Sequence, residues 1–372
     1  MRKTGESIRV CEHLADSFLR GARFFIDNLS RTRHYKRRTT IAKEGFQMKL
    51  RGIEFGHVLD ASGARNFDGS GWWYHRLGKL VGLSFDGSTF VAKTTTAYAN
   101  PGNMALKSDG MTPKSFMPDC IWMDSDQGIA LNAVGLSGFG AEHLFENAGW
   151  EKRTEPFFLS FMALLGITGS TPNQQTYEFS ELVRRYVPNF RAPIGIQLNV
   201  SCPNVGALMV PEVRAINNVH EQLDILACTG VPLMLKISVT TPIRVVLRMA
   251  AHAACDAICV SNTVPFGALS EKINWIRLFG TVDPKHSPLA KYGGGGLSGA
   301  PLLALTEAWV RDARAAQFQK AINAGGGILC PADADRLIDA GADSVFLGSI
   351  AFLRPWQVAR TIRHANKRFK NR

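Results

Sequence analysis

Residues 194–206 read Ile-Gly-Ile-Gln-Leu-Asn-Val-Ser-Cys-Pro-Asn-Val-Gly, an apolar run that ends in two amides and one thiol. Apolar residues alternate with small or polar ones along its first half, which is the period of a β-strand with two different faces. Pro203 has no backbone N–H and ends such a strand. The groups expected at the strand exit are Asn199, Cys202 and Asn204, which suit a planar ligand better than a hydrophobic core.

Seven further β-rich runs follow the same plan of strand, Gly- or Asn-rich exit and helical stretch. They lie at 57–61, 90–95, 157–163, 232–237, 257–262, 321–325 and 344–348. Helical periodicity is clearest at 178–187, 211–228, 243–254, 302–317, 332–340 and 355–368. Eight such units are the number that closes a TIM barrel, so the pattern predicts an α/β fold with a single (β/α)8 barrel. The poorly periodic segments 98–131 and 263–292 are predicted to be long βα-loop excursions over a site.

The 372 residues carry a net charge of +12, and the excess is concentrated at the ends of the chain. Residues 1–47 hold 11 basic and 5 acidic residues, and seven Lys or Arg but no acid follow Ile350. Apolar spacing over residues 8–29 predicts one amphipathic helix in an N-terminal extension, and a basic run follows it. Two interpretations stay open: a membrane-leaning helix, or an extension upstream of a natural start at Met48, which is favoured. The barrel domain is assigned to residues 48–372.

Several classes of protein are disfavoured by composition. The seven cysteines include no C-x-x-C pair, and the histidines show no metal-ligand spacing, so no metal is expected. No apolar run reaches the roughly 18 residues of a membrane span. We therefore expect a cytoplasmic protein with reduced thiols. Little chain follows the eighth strand, so no RNA-binding domain and no nucleic-acid partner are expected.

Active residues of a TIM barrel collect at the C-terminal ends of its strands. Two of the predicted strands carry a lysine, Lys93 and Lys236. A buried ammonium without a partner is costly, and an anionic cofactor ring would supply one; a salt-bridged or snorkelling structural lysine is the alternative. Small residues at the first exit, Ala61-Ser62-Gly63, would let a flat ring lie against the backbone.

Glycines follow the last two strands at Gly325-Gly326-Gly327 and Gly348-Ser349, and a third Gly-rich stretch covers residues 292–299. Bare backbone N–H groups at such exits can bind a phosphate; as isolated motifs they would be plain turns. Cys202 has a free thiol between two amides, and a thiol that titrates near 8.5 can act as a base.

Asn-Val-Ser-Cys-Pro-Asn at residues 199–204 resembles the catalytic loop of the dihydroorotate dehydrogenases, and the similarity runs from about Met48 to Ile362. The resemblance implies FMN as cofactor. Its phosphate is expected at Ser298, Gly299, Gly326, Gly327, Gly348 and Ser349. Its ring is expected near Ala61, Ser62, Gly63, Lys93, Thr94, Asn199 and Lys236.

The resemblance also implies a small dihydropyrimidine substrate, oxidised while Cys202 removes a proton and a hydride passes to the flavin. The residues expected to contact this substrate are Lys93, Asn132, Gly135, Leu136, Asn199, Asn204, Asn262 and Thr263. A Cys base is similar to the soluble class 1 enzymes, whose second electron acceptor is fumarate, or NAD through a partner subunit. A homodimer is expected.

The chain departs from the family pattern at Ser137-Gly138, where an Asn is usual, and in the length of the 98–131 loop. Two other functions therefore stay open. One is a related flavin barrel that acts on another dihydropyrimidine or on a uridine. The other is a barrel that binds a phosphorylated ligand without turnover.

Overall fold

The computed structural model describes residues 48–166, 169–200 and 212–372. In chain order the strands are β1 (Lys49–Leu50), β2 (Ile53–Glu54), β3 (Val58–Asp60), β4 (Ile121–Asp124), β5 (Ile129–Asn132), β6 (Phe157–Phe161), β7 (Ile194–Asn199), β8 (Leu233–Ile237), β9 (Ala257–Val260), β10 (Val264–Pro265), β11 (Gly296–Gly299), β12 (Ala321–Gly325) and β13 (Ser344–Leu347). The α-helices are α1 (Trp73–Gly78), α2 (Ala141–Asn147), α3 (Pro172–Tyr186), α4 (Glu212–Ala227), α5 (Ile243–Ala250), α6 (Trp275–Phe279), α7 (Leu302–Ala315), α8 (Pro331–Ala340), α9 (Ile350–Leu353) and α10 (Val358–Lys370). The predicted N-terminal helix, Cys202 and Asn204 lie outside the described residues.

Seven parallel strands form one curled sheet in the order β3-β13-β12-β9-β8-β7-β6. Every residue of these strands except Ala321 is buried, because parallel strands are covered on both faces. That double burial explains why their sequences are nearly continuous apolar runs. The predicted α/β barrel is confirmed.

The ring closes between β3 and β6 through residues 89–95, which make isolated bridges rather than a continuous strand. Thr89 accepts a hydrogen bond from the Asp60 N–H at 2.9 Å, and Ala92 donates one to the Phe158 carbonyl at 2.9 Å. The Lys93 N–H instead donates to the Asn66 carbonyl at 3.0 Å. The prediction of a regular strand over 90–95 is therefore wrong in detail, since a loop contact interrupts its ladder.

Helices cover the outside of the ring, and α3 shows how their ends are set. It begins six residues before the predicted 178, because Thr171 caps it by accepting a hydrogen bond from the Gln174 N–H at 3.2 Å. Pro172 occupies the first turn, where its missing N–H has no cost. Phe179 and Val183 face the barrel and are buried. The polar first turn carries no apolar periodicity, and so the start is invisible to a periodicity argument.

The two long excursions, together with β11 just after the second of them, build an antiparallel sheet in the order β10-β11-β5-β4. Ser298 of β11 pairs with Ala130, and Gly296 pairs with Asn132 of β5. Residues 98–131 and 263–292 thus leave the barrel as predicted, but they contain strands that the sequence did not indicate. Strands of two to four residues are too short to show a period.

Among the helices of the described ranges, none has the length and apolar character needed to cross a membrane.

Candidate active site

A cavity of about 330 Å³ lies at the carboxyl ends of the barrel strands, between the barrel and the antiparallel sheet. The exits of β3, β7, β8, β9, β12 and β13 all contribute to its wall. This is the end of a TIM barrel at which active sites are found, and the volume is in the range of small-molecule sites.

Nearly all the predicted site residues that the structure describes line this cavity. They are Ala61, Ser62, Gly63, Lys93, Thr94, Asn132, Gly135, Leu136, Asn199, Lys236, Asn262, Thr263, Ser298, Gly326, Gly327, Gly348 and Ser349. Gly299 is outside the lining. A side chain there would lie 2.1 Å from the Gly128 carbonyl oxygen, and φ is +103°, so this glycine permits a close approach of two backbone segments.

The charge of the cavity wall comes from Lys93 and Lys236. Both are 8% exposed, and the wall contains no Asp, Glu, Arg or His among the described residues. The Lys93 ammonium donates to the Ser137 carbonyl at 2.6 Å and lies 4.3 Å from the centre of the Phe67 ring. Two buried cations give this wall a positive potential, which favours an anionic ligand.

Three asparagine side chains, those of Asn132, Asn199 and Asn262, also meet at the cavity. Asn262 donates to Asn199 Oδ1 at 3.1 Å, and its own oxygen accepts the Thr263 N–H at 3.0 Å. Asn199 is paired in register with Lys236 on β8. Asn132 reaches the cavity from β5 of the other sheet. Side chains from four separate segments therefore offer donors and acceptors to one ligand.

The glycines after β12 have a second role in packing. Gly327 has φ of +87°, and a Cβ there would lie 2.6 Å from the Leu303 N atom and 2.8 Å from its Cβ. Gly326 has φ of +108°, which L residues with side chains rarely adopt. The first turn of α7 therefore lies directly against this exit, with backbone exposed to the cavity.

The rim contains aromatic residues that the sequence analysis missed. Trp72, Trp73, Tyr74 and Phe116 all line the cavity. The Trp72 ring N–H donates to the Gly63 carbonyl at 2.9 Å, and the Trp73 ring N–H donates to the Phe116 carbonyl at 2.7 Å. The Trp73 and Phe116 rings also stack. Trp-Trp-Tyr directly after Gly-Ser-Gly, just beyond the first strand exit, was the signal in the sequence.

Helix α1, at the rim of the cavity, carries the buried residue His75. We expect this histidine to make the stability of the protein depend on pH. Burial lowers the pKa of His75 to about 4, and the positive charges of Arg65 and Lys79 add to this effect. Unfolded His75 titrates near 6.5, so between pH 6.5 and 4 the unfolded chain binds the extra proton. Stability then falls as pH drops through that window, by up to about 3 kcal/mol. His75→Gln should make this slope shallower in urea unfolding measured from pH 7.5 to 4.5.

The matched control is His286→Gln, whose side chain is 72% exposed and far from the rim in sequence. This control should keep the wild-type slope. Equal slopes for wild type and His75→Gln would contradict the assignment of the pH dependence to the rim helix.

A buried ion pair between Asp60 and Arg65 lies at the C-terminal end of strand β3. Asp60, the last residue of β3, is 1% exposed, accepts from Arg65 Nε at 2.5 Å and accepts the Ser88 hydroxyl at 2.8 Å. Burial raises the pKa of Asp60, and Arg65 opposes that shift. The pair fixes the segment 61–65 that turns along the cavity wall.

None of the described cysteines lines the cavity. Burial raises the pKa of Cys120 and Cys255 to about 11, and that of Cys259 to about 12 against the opposing effect of Lys236. These thiols stay protonated at neutral pH. A cysteine base would have to come from elsewhere in the chain, and Cys202 follows the cavity residue Asn199 by three positions.

Comparison with known families finds a match over most of the chain. A family described as "Dihydroorotate dehydrogenase" matches residues 58–369. These residues include every cavity residue in the described part of the chain.

Several relatives carry the description "Dihydroorotate dehydrogenase B (NAD(+)), catalytic subunit", and two of them illustrate the similarity. The protein of Desulforamulus reducens is 26% identical, over 72% of this chain and 81% of its own. That of Pelobacter propionicus is 28% identical, over 74% of this chain and 87% of its own. Among solved structures, the Eimeria tenella enzyme in complex with ferulenol superposes with a TM-score of 0.62 at 18% identity, covering 89% of this chain and 86% of that chain. This last likeness concerns the fold.

Proposed function

Because this chain belongs to the dihydroorotate dehydrogenase family, whose members are oxidoreductases of CH–CH donors that generally bind FMN, we propose that it oxidises (S)-dihydroorotate to orotate with FMN, in pyrimidine biosynthesis. The observation that carries the proposal is the composition of the cavity wall. Two buried lysines, converging amides and a glycine cradle face one space that has no carboxylate among its described residues.

The donor set fits FMN. Backbone N–H groups at Gly326, Gly327, Gly348 and Ser349, with Ser298 beside them, would hold the phosphate. Lys236 and Lys93 would lie near the ring with Ala61, Ser62, Gly63, Thr94 and Asn199. When bound, FMN supplies the acceptor for the hydride that leaves the substrate. A fixed cation in a site shielded from water stabilises the negative charge that the reduced ring carries.

The glycine cradle provides a test of the phosphate assignment. Gly327→Ala places a methyl group 2.6 Å from the Leu303 N atom at φ of +87°. We expect it to abolish FMN retention and to destabilise the protein by more than the roughly 1–2 kcal/mol of a left-handed alanine. Gly230→Ala has φ of +75° but nothing within 4 Å, so it should show only that conformational cost. FMN content and urea midpoints measure both; normal FMN retention by Gly327→Ala would contradict the assignment.

Cys202 is the proposed base. The support is its sequence position, three residues after Asn199, which lines the cavity. Its thiolate would take the proton from the carbon beside the substrate carbonyl, while the hydride leaves the neighbouring carbon and a C=C bond forms. Asn132, Asn199, Asn204 and Asn262, with Lys93 and Thr263, would orient the substrate's carbonyls, N–H groups and carboxylate. Gly135 and Leu136 would lie against its ring.

The second electron acceptor is proposed to be NAD, reached through a partner subunit. The support is the description of the relatives, which names a catalytic subunit and NAD(+). Fumarate is the alternative acceptor. We further propose a cytoplasmic homodimer whose barrel domain is residues 48–372.

The deciding experiment is anaerobic. The purified protein should be yellow, and stoichiometric dihydroorotate should bleach the flavin absorbance. A yellow protein that ignores dihydroorotate but responds to another dihydropyrimidine or to a uridine would redirect the substrate assignment. A colourless protein that FMN does not reconstitute would contradict the proposal as a whole.

A further inference from the structure

A chain of hydrogen bonds runs through the barrel wall behind the cavity. Ser62 Oγ lies 3.0 Å from the Ala92 carbonyl oxygen and 2.8 Å from Thr94 Oγ1. Thr94 Oγ1 lies 2.8 Å from Ser160 Oγ, which lies 3.3 Å from the Gln197 carboxamide. Ser62 and Thr94 line the cavity, whereas Ser160 and Gln197 are buried behind them at 1% and 2% exposure.

Each hydroxyl has one proton, and the buried carbonyl of Ala92 determines where these protons go. Ala92 is 1% exposed, and within the described part of the chain its carbonyl has no donor besides Ser62. A buried carbonyl needs a donor, so Ser62 donates to Ala92. The contact between Ser62 and Thr94 must then use the Thr94 proton.

At the other end of this hydrogen-bond series, the single Ser160 proton has two possible acceptors, Thr94 Oγ1 at 2.8 Å and Gln197 Oε1 at 3.3 Å. If the Gln197 amide is turned so that its NH₂ group faces Ser160, Gln197 donates to Ser160 and Ser160 donates to Thr94, since the hydrogen-bond network decides which end of an amide points where. If Gln197 Oε1 faces Ser160, the four contacts share three hydroxyl protons. With either orientation of the Gln197 amide, Ser62 donates to the Ala92 carbonyl and Thr94 donates to another side chain of this series. Neither proton is then available to a ligand in the cavity.

A free hydroxyl can donate or accept, but Ser62 and Thr94 can only accept from a ligand, because their protons are committed. A flavin ring that presents an N–H group to these two oxygens is therefore bound more favourably than one that presents an unprotonated nitrogen. An oxidised flavin ring nitrogen is an acceptor. Reduction by hydride adds two electrons and hydrogen to the ring and converts such a nitrogen to N–H.

We propose that Ser62 and Thr94 accept a hydrogen bond from a ring N–H that the flavin carries only when reduced, and so raise the potential of the bound cofactor. Ala92 and Ser62 set the direction of the chain, and Thr94 presents the acceptor. This inference rests on the proposed function, since it takes FMN as the ligand.

The test is the two-electron midpoint potential of the bound FMN, measured by dye equilibration on the FMN-loaded protein. Thr94→Val keeps the shape of the side chain and removes the acceptor. We expect the preference for the reduced flavin to fall about tenfold, which is about 30 mV toward negative potential. If Thr94 donated instead, the same variant would shift the potential in the positive direction.

Ser160→Ala is the matched control. It also removes one buried hydroxyl but leaves the Thr94, Ser62 and Ala92 series intact, so its potential should stay near that of the wild type. A Thr94→Val potential equal to or above the wild-type value overturns the inference, as does an equal shift in both variants. In either case, the proposed function would still hold if the wild type, Thr94→Val and Ser160→Ala all bind flavin and dihydroorotate bleaches it. A protein that binds no FMN overturns both.

Discussion

Cys202→Ala is expected to retain bound flavin with an unchanged absorbance spectrum, yet to be reduced by dihydroorotate 10² to 10⁴ times more slowly, the usual contribution of a general base. The physical reason is that the described residues of the cavity wall include no carboxylate or imidazole that could take the proton instead. The buried thiols of Cys120, Cys255 and Cys259 have raised pKa values. Anaerobic stopped-flow absorbance at the flavin band measures the reduction step separately from reoxidation.

The pH dependence of the same step supplies an independent signature. A free thiol titrates near 8.5, so the wild-type reduction rate should rise with pH through that region, and the rate of Cys202→Ala should not. Cys228→Ala, which removes an exposed thiol, is the matched control and should behave as wild type. A Cys202→Ala protein reduced at the wild-type rate would remove this residue from the mechanism.

Lys236→Met is expected to weaken FMN binding by about 10- to 100-fold, equivalent to about 1.4 to 2.8 kcal/mol, and to shift the bound flavin toward negative potential. Lys236 is the next-to-last residue of the buried strand β8, is 8% exposed and lines the cavity. Methionine fills the same volume without the charge, so the variant removes the stabilisation of an anionic ring while the packing is kept. Equilibrium titration of the apoprotein with FMN measures the affinity.

Lys320→Met is the control for removing a half-buried lysine elsewhere. Lys320 donates to the His252 carbonyl at 2.7 Å and to the Cys255 carbonyl at 2.8 Å, beside the N-terminal start of β12 and away from the cavity. It should lower the urea midpoint and leave FMN affinity unchanged. Equal losses of FMN affinity in the two variants would show that Lys236 acts through general stability and not through the cofactor.

Much of the barrel could be predicted because parallel strands are buried on both faces. The strand predicted at 194–200 is observed at Ile194–Asn199, and that at 344–348 at Ser344–Leu347. The excursion strands were missed because β4 and β5 are four residues long and alternate with loop. The rim aromatics were missed because a Trp-Trp-Tyr run does not reveal that Phe116, more than forty residues later, stacks on it.

Ser137, where the chain departs from the family pattern, also shows that local sequence does not reveal contacts between distant residues. The sequence indicates that the family's usual residue is absent there, but only the folded chain shows that the Ser137 carbonyl accepts from the Lys93 ammonium. The Ser137 hydroxyl meanwhile donates to the Val134 carbonyl at 3.0 Å and accepts the Met104 N–H at 2.9 Å. That hydroxyl is therefore held by the loop itself, and this position shapes the wall through its backbone.

The sequence by itself determined the eight-unit barrel and the kinds of groups at its strand exits, because strand period, proline and glycine act over a few neighbouring residues. The tertiary structure alone decided which of those groups meet. Thr94 and Ser160 are separated by 66 residues, and Ser160 and Gln197 by 37, and no local pattern relates them. Their contact and the direction of their protons arise only when the ring closes and a buried carbonyl on residue 92 requires a donor.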